Sequence, residues 1–91
     1  MQIDWSKPAQ RDLQRLYAFL AESDSLMARR IIDAIIDAAE QLATFPQLGT
    51  RLDRYSAREI RRFIVGDYEV RYELGASVVR VLNVWHERED R

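Results

Sequence analysis

Arg58–Arg88 reads REIRRFIVGDYEVRYELGASVVRVLNVWHER, and the reading of this stretch decides the fold. In YEVRYEL (68–74) Tyr68, Val70, Tyr72 and Leu74 alternate with Glu69, Arg71 and Glu73. A period of two is what a strand shows when one sheet face is buried and the other meets water. Gly66-Asp67 before it and Gly75-Ala76 after it place residues tolerant of positive φ between β-rich runs, as short hairpin connections require. Three consecutive strands in an antiparallel meander are therefore expected. SVVRVLNVW (77–85) is apolar on both parities, with Val78, Leu82 and Val84 against Val79, Val81 and Trp85. Both of its faces should be at least partly covered, which places this strand centrally.

Working outward, Met1, Ile3 and Trp5 alternate with Gln2 and Asp4, a short strand able to join the sheet. Ser6 is suited to cap a helix, and Pro8 is tolerated in a first turn where its missing N–H has no partner to lose. Ala9, Leu13, Leu16, Tyr17 and Leu20 then form one apolar stripe. Ser23-Asp24-Ser25 interrupts the pattern with residues that compete for backbone hydrogen bonds and can cap a second helix. Ala28, Ile31, Ile32, Ile35, Ile36, Ala39 and Leu42 give that helix a wide apolar face, and Pro46 ends it. So short a break joins antiparallel helices, and residues 45–57 are expected as a connecting loop. The order β-α-α-β-β-β predicts an α+β fold of two layers, with the helix hairpin packed on a mainly antiparallel sheet. At 91 residues the chain is expected to be a single domain over 1–91.

Composition narrows the chemistry. There is no cysteine, which excludes disulfides and thiolate metal sites and fits a reducing compartment. No run approaches the roughly 18 apolar residues of a membrane span, so the expected location is the cytoplasm. Net charge is −1, yet residues 51–62 carry five Arg against two acids. A near-neutral total argues against wholesale coating of nucleic acid, whose phosphate-driven affinity grows with the charges neutralised. Contact with one anionic surface fits the local patch.

Each candidate residue has a structural reading beside its chemical one. His86 is the only histidine and follows Trp85 at the strand end; it is a general acid or base only if a partner is positioned for it. No serine lies in a nucleophile-elbow motif, and one histidine without cysteine gives poor metal ligation. Gly49, Gly66 and Gly75 are too far apart for a phosphate loop. No cofactor is expected. Arg51, Arg54, Arg58, Arg61 and Arg62 are the strongest local signal, since guanidinium forks suit phosphate or carboxylate. On one strand Arg61 and Arg62 must point to opposite faces. Pairing with Glu59, Glu69 and Glu73 across the sheet is the alternative use of these arginines. Trp5, Trp85 and the tyrosines sit on apolar parities and are expected to pack.

Taken together, Trp5, Ala9, Asp12, Leu13 and Tyr17, then ARRIIDAI, then Leu42, Phe45, Pro46 and Gly49, then the REIRR, GDYEVRY and VVRVLNVWHERED runs, resemble the RelE/ParE superfamily of bacterial toxins. The resemblance covers nearly the whole chain and implies the toxin half of a type II toxin–antitoxin module, of the kind associated with plasmid stabilisation. RelE-like members cut mRNA in the ribosome with arginines, lysines and a C-terminal tyrosine or histidine. ParE-like members inhibit DNA gyrase. Here Phe63–Val65 stand where RelE-like proteins place an arginine, no tyrosine follows Arg88, and there is one lysine in all. The closing His86, Arg88 and Asp90 are similar to ParE-like endings. The resemblance thus implies gyrase as target, contacted through Trp85, His86 and Arg88. The RelE-like alternative would use His86, Glu87, Arg88 and Arg62 in metal-free cleavage, and a third possibility is a member that only binds antitoxin. It also implies a ParD-like antitoxin from the same operon, bound by Arg51, Arg54, Arg58, Arg61, Tyr17 and Leu20. Operator DNA would be met only through that antitoxin.

Overall fold

The computed structural model describes residues 1–55 and 57–89. Strand β1 (Gln2–Trp5) leads into helix α1 (Lys7–Ala21), helix α2 (Ser25–Glu40) and a 3-10 turn (Gln41–Ala43). Strands β2 (Thr50–Arg51), β3 (Ile60–Val65), β4 (Tyr68–Leu74) and β5 (Val78–His86) follow. Among the described residues the sheet has five strands in the order β1-β5-β4-β3-β2. β1 pairs with β5 in parallel, and the other three pairings are antiparallel. The helix hairpin covers one face of this sheet, giving the expected α+β architecture of two layers.

Local chemistry sets the helix starts. The Ser6 hydroxyl accepts from the Ala9 amide and also donates to the Leu82 carbonyl, tying the head of α1 to β5. Asp24 caps α2 by accepting from the Met27 amide. Each cap satisfies a first-turn donor that has no partner inside its helix. α2 stops at Glu40, earlier than its apolar stripe suggests, and Leu42 reaches the core from the 3-10 turn.

The core lies between hairpin and sheet. Ala9, Leu16, Ile35 and Ala39 from the helices meet Tyr68, Val70, Val81 and Val84, while Leu42 packs with Tyr72 and Val79. Tyr17, assigned to the apolar stripe of α1 by spacing, is 40% exposed at the margin of the helix pair.

Two sheet features depart from the sequence reading. The segment expected as a loop contains β2, which pairs Thr50 with Arg62 and Arg51 with Arg61. Two residues carry no periodicity, so no pattern could mark them. In β5 a bulge shifts the register: Arg71 faces Asn83 but Tyr72 faces Val81, leaving Leu82 as the extra residue. The bulge moves the core-facing residues from odd to even positions, so Val79 and Val81 share a buried face with Val84. The mixed parity of SVVRVLNVW records that shift, while the strand does sit inside the sheet, between β1 and β4.

Candidate functional site

Strand pairing sorts the candidate residues onto the two sheet faces. Tyr68, Val70 and Tyr72 face the helices, and so do their partners His86, Phe63 and Arg61. Glu69, Arg71 and Glu73 face away, together with Trp85, Ile64 and Arg62. Arg61 and Arg62 thus diverge as a strand requires.

The outward face is not simply wet. Glu69 is 1% exposed there, held by Arg62 (Nη1–Oε1 3.1 Å) and Arg71 (Nη2–Oε2 2.8 Å). The Arg71 guanidinium lies 5.0 Å from the centre of the Trp85 ring, and its Nε is buried with no hydrogen-bond partner among the described residues. A buried carboxylate is tolerable only where cations and donors replace its lost hydration, and this pair of forks supplies them. Trp85 therefore stacks on a cation of the outer face; its apolar parity by sequence was another product of the bulge.

The remaining arginines near the patch are largely committed. Arg58 grips Glu73 in a two-pronged pair at 3.0 and 2.6 Å, which holds the Glu73 carboxyl below its ordinary pKa. Arg61 bonds Glu59 at 2.7 Å and the carbonyls of Gly49 and Gln47 at 2.7 and 3.3 Å, staples that fix the path into β2. Arg54 sits over the Tyr55 ring and, by hydrogen bonding to the phenol, lowers its pKa. Arg51 is exposed with no ion-pair partner among the described residues. The acids Glu59, Glu69 and Glu73 are the ones the sequence named as alternative partners. Of the six residues expected to meet an antitoxin, Arg61 is internally occupied and Leu20 packs against the core. Tyr17 lines a shallow hollow on the helix side with Arg29, Ile32 and Asp33 of α2.

The C-terminal turn is built around His86. Its ring packs edge-on against Tyr68 at 5.3 Å on the helix side, and its Nδ1 accepts from the Arg88 amide. The His86 amide donates to Glu89, and Glu89 also pairs with Arg15 of α1 at 3.0 Å. Burial disfavours the Glu89 carboxylate, but the His86 amide and Arg15 outweigh it and hold its pKa below the usual value. The Glu87 amide donates to Asp67, which brings the β3–β4 turn beside the chain end. Asp12 of α1 accepts from the Val84 amide at 2.9 Å. Trp85 and His86 therefore project from opposite faces of one strand end, and Arg88 stands exposed beyond them.

Arg62 and His86 likewise lie on opposite sides of the sheet, so the set His86, Glu87, Arg88 and Arg62 does not converge. Sequence reasoning missed Arg71, and it named Glu69 as an arginine partner without foreseeing its burial. They read as ordinary solvent-side residues of an alternating strand, and their only signal was proximity to arginines across the β3–β4 turn. Ser56, among the serines set aside as nucleophiles, and Asp90 of the closing motif lie outside the described residues. Among the described residues no cluster of three or more His, Asp or Glu could hold a metal, and no helix is long and apolar enough to cross a membrane.

Comparison with known proteins gives concordant results. Residues 3–91 match the family model described as the ParE toxin of the type II toxin–antitoxin system parDE. Toxin RelE1 of Caulobacter vibrioides is 34% identical over 84 residues, spanning 91% of this chain and 89% of the relative. Toxin RelE2 of the same organism is 28% identical over 85 residues, spanning 93% of each. A solved structure described as the chromosomal ParDE toxin–antitoxin system from P. aeruginosa superposes with a TM-score of 0.79 at 14% identity. It covers 94% of this chain and 95% of that one. That likeness speaks for the fold alone. With the family model spanning nearly the whole sequence, the chain belongs to the ParE toxin family of type II toxin–antitoxin systems.

Proposed function

We propose that this toxin arrests growth by binding and poisoning DNA gyrase, acting as a protein-binding inhibitor and not as a nuclease. The observation that carries the reading is the commitment of Arg62 and Arg71 to Glu69, with His86 on the opposite sheet face. Metal-free RNA cleavage needs a base, an acid and cations around one phosphate, all within hydrogen-bond reach of the reacting atoms. Here the ring that would move the proton and Arg62, which would help to hold the phosphate, lie on opposite faces of the sheet. The contact surface is the strand end: Trp85, His86 and Arg88, with the Gly66-Asp67 turn alongside.

Family membership implies an antitoxin partner. The proposed partner is a ParD-like protein whose acidic side chains meet Arg51 and Arg54 and whose apolar side chains meet the margin of α1 at Tyr17. The protein is proposed to act in the cytoplasm and to meet operator DNA only through that antitoxin.

The test is a gyrase supercoiling assay run beside a ribosome programmed with mRNA, using one toxin preparation. Lost supercoiling or trapped cleaved DNA, with intact mRNA, is the expected outcome. Normal supercoiling at high toxin excess removes the gyrase reading. A second reading, ribosome-dependent mRNA cleavage, is favoured by the RelE names of the two Caulobacter relatives and by the shared outer face of Arg62 and Arg71. New cuts in the mRNA, lost in Arg62→Ala, would establish it. Growth unaffected by strong induction would leave antitoxin binding as the remaining activity.

A further inference from the structure

The sheet face not covered by helices carries the elements of an anion site: two arginine forks, an aromatic plane, and a guanidinium nitrogen without a hydrogen-bond partner among the described residues. Each arginine is nevertheless engaged by the same internal carboxylate. Glu69 is 1% exposed, and its two oxygens divide between Arg62 and Arg71. The Arg71 side chain is 13% exposed and sandwiched between that carboxylate and Trp85, so it has little freedom to turn to another partner. Arg62, at 46% exposed, is the half of the pair that a phosphate in solution would reach.

We propose that Glu69 is a specificity-determining residue: a built-in anion that occupies the arginine pair and excludes phosphodiesters from the open face of the sheet. The inference rests on the protein-binding reading of the function and supplies its physical basis. A carboxylate and a phosphate oxygen compete for the same planar donors, and guanidinium forks bind either. The internal competitor has the advantage, since it is delivered by the fold at no translational cost and, being buried, is screened less by salt. Without the negative charge at 69, two cations and the Trp85 ring would form the usual surface for single-stranded nucleic acid, a basic patch with a stacking platform.

The experiment uses the full chain and a fluorescently labelled oligouridylate. Anisotropy is read across a salt series for wild type, Glu69→Gln and Glu69→Gln with Arg62→Ala. Glutamine keeps the shape of the side chain and removes its charge. Wild type is expected to bind weakly. Glu69→Gln should bind severalfold more tightly at low salt, and its logarithmic salt slope should steepen by about 0.7, the contribution of one phosphate contact on a single strand, made by Arg62. Adding Arg62→Ala should abolish that increase, whereas adding Arg29→Ala on α2 should not. A folded Glu69→Gln that binds no better than wild type overturns the proposal. Tight binding by wild type, accompanied by mRNA cleavage, overturns the protein-binding reading instead.

Arg62→Ala and Arg51→Ala in the wild-type background keep the question answerable if Glu69→Gln fails to fold. With Arg62 already occupied, its removal should leave the salt slope of residual binding unchanged, while removal of exposed Arg51 should lower it by about 0.7. A slope lowered equally by Arg62→Ala overturns the proposal.

Discussion

Replacing Tyr72 by phenylalanine removes one oxygen atom and should cost this protein a large share of its stability. The Tyr72 hydroxyl donates to the Pro46 carbonyl at 2.7 Å and accepts from the Gly49 amide at 2.9 Å, and the residue is fully buried. Its pKa is raised by burial, partly offset by the Gly49 amide, so the neutral phenol holds both bonds at ordinary pH. Tyr72→Phe leaves the ring in place and strands the two backbone groups. An unsatisfied buried group costs about 1–3 kcal/mol. Taking about 2 for the buried Gly49 amide and about 1 for the half-buried Pro46 carbonyl gives about 3 kcal/mol. Domains of this size have roughly 5–15 kcal/mol in total, and at about 4–8 °C per kcal/mol the melting point should fall by about 12–24 °C. Urea unfolding followed by tryptophan fluorescence measures it, with an unchanged slope showing that stability alone has moved. Tyr68→Phe is the control, because that hydroxyl has no hydrogen bond among the described residues; it should cost less than about 0.5 kcal/mol. Equal, small losses in both variants would refute the reasoning.

Gly49→Ala should destabilise by about 1–3 kcal/mol or more through overpacking, since a Cβ there would lie 2.6 Å from the Arg62 carbonyl oxygen and 2.9 Å from the Tyr72 ring; thermal melting reads the loss. Asp12→Ala strands the buried Val84 amide beside the bulge and should cost about 2 kcal/mol, with Asp12→Asn recovering part of it in chemical denaturation because an amide oxygen still accepts. Glu73 and Glu89 have folded pKa values held below the unfolded value of 4.5. Each therefore contributes stability that is present above that value and lost as pH falls through the depressed folded one. Stability measured from pH 6 downward should begin to decline near 4.5, and Arg15→Ala should reduce the Glu89 part of that decline, leaving the share held by the His86 amide. Tyr68 and Tyr72 are raised from 10.0 by burial; their contribution is complete below that value and disappears as pH rises through the folded values, so alkaline titration should show a second loss.

Much of this fold follows from local chemistry. Ser6, Pro8 and Asp24 mark where helices begin, because a first turn has donors that only a nearby side chain or a missing N–H can satisfy. The alternation of Tyr68, Val70, Tyr72 and Leu74 fixes a strand and its buried face, because successive side chains in a strand must point to opposite sides. The divergence of Arg61 and Arg62 follows from the same geometry, and the choice of Glu59, Glu69 and Glu73 as arginine partners follows from charge. The membership of a toxin family was also legible, in motifs spread along the chain.

Tertiary structure decided the rest. The bulge at Leu82 moves Val84 onto the core face and Trp85 onto the open one, a change made by backbone pairing with β4 that residue types do not announce. β2 exists because Arg61 and the Tyr72 hydroxyl hold residues 46–51 against β3, contacts separated by more than ten residues in the chain. Glu69 looks like any solvent-side acid in an alternating strand. It becomes a buried counter-ion only when the β3–β4 hairpin closes and the β5 bulge delivers Trp85 beside Arg71, since burial is a property of what arrives from elsewhere and not of the residue itself.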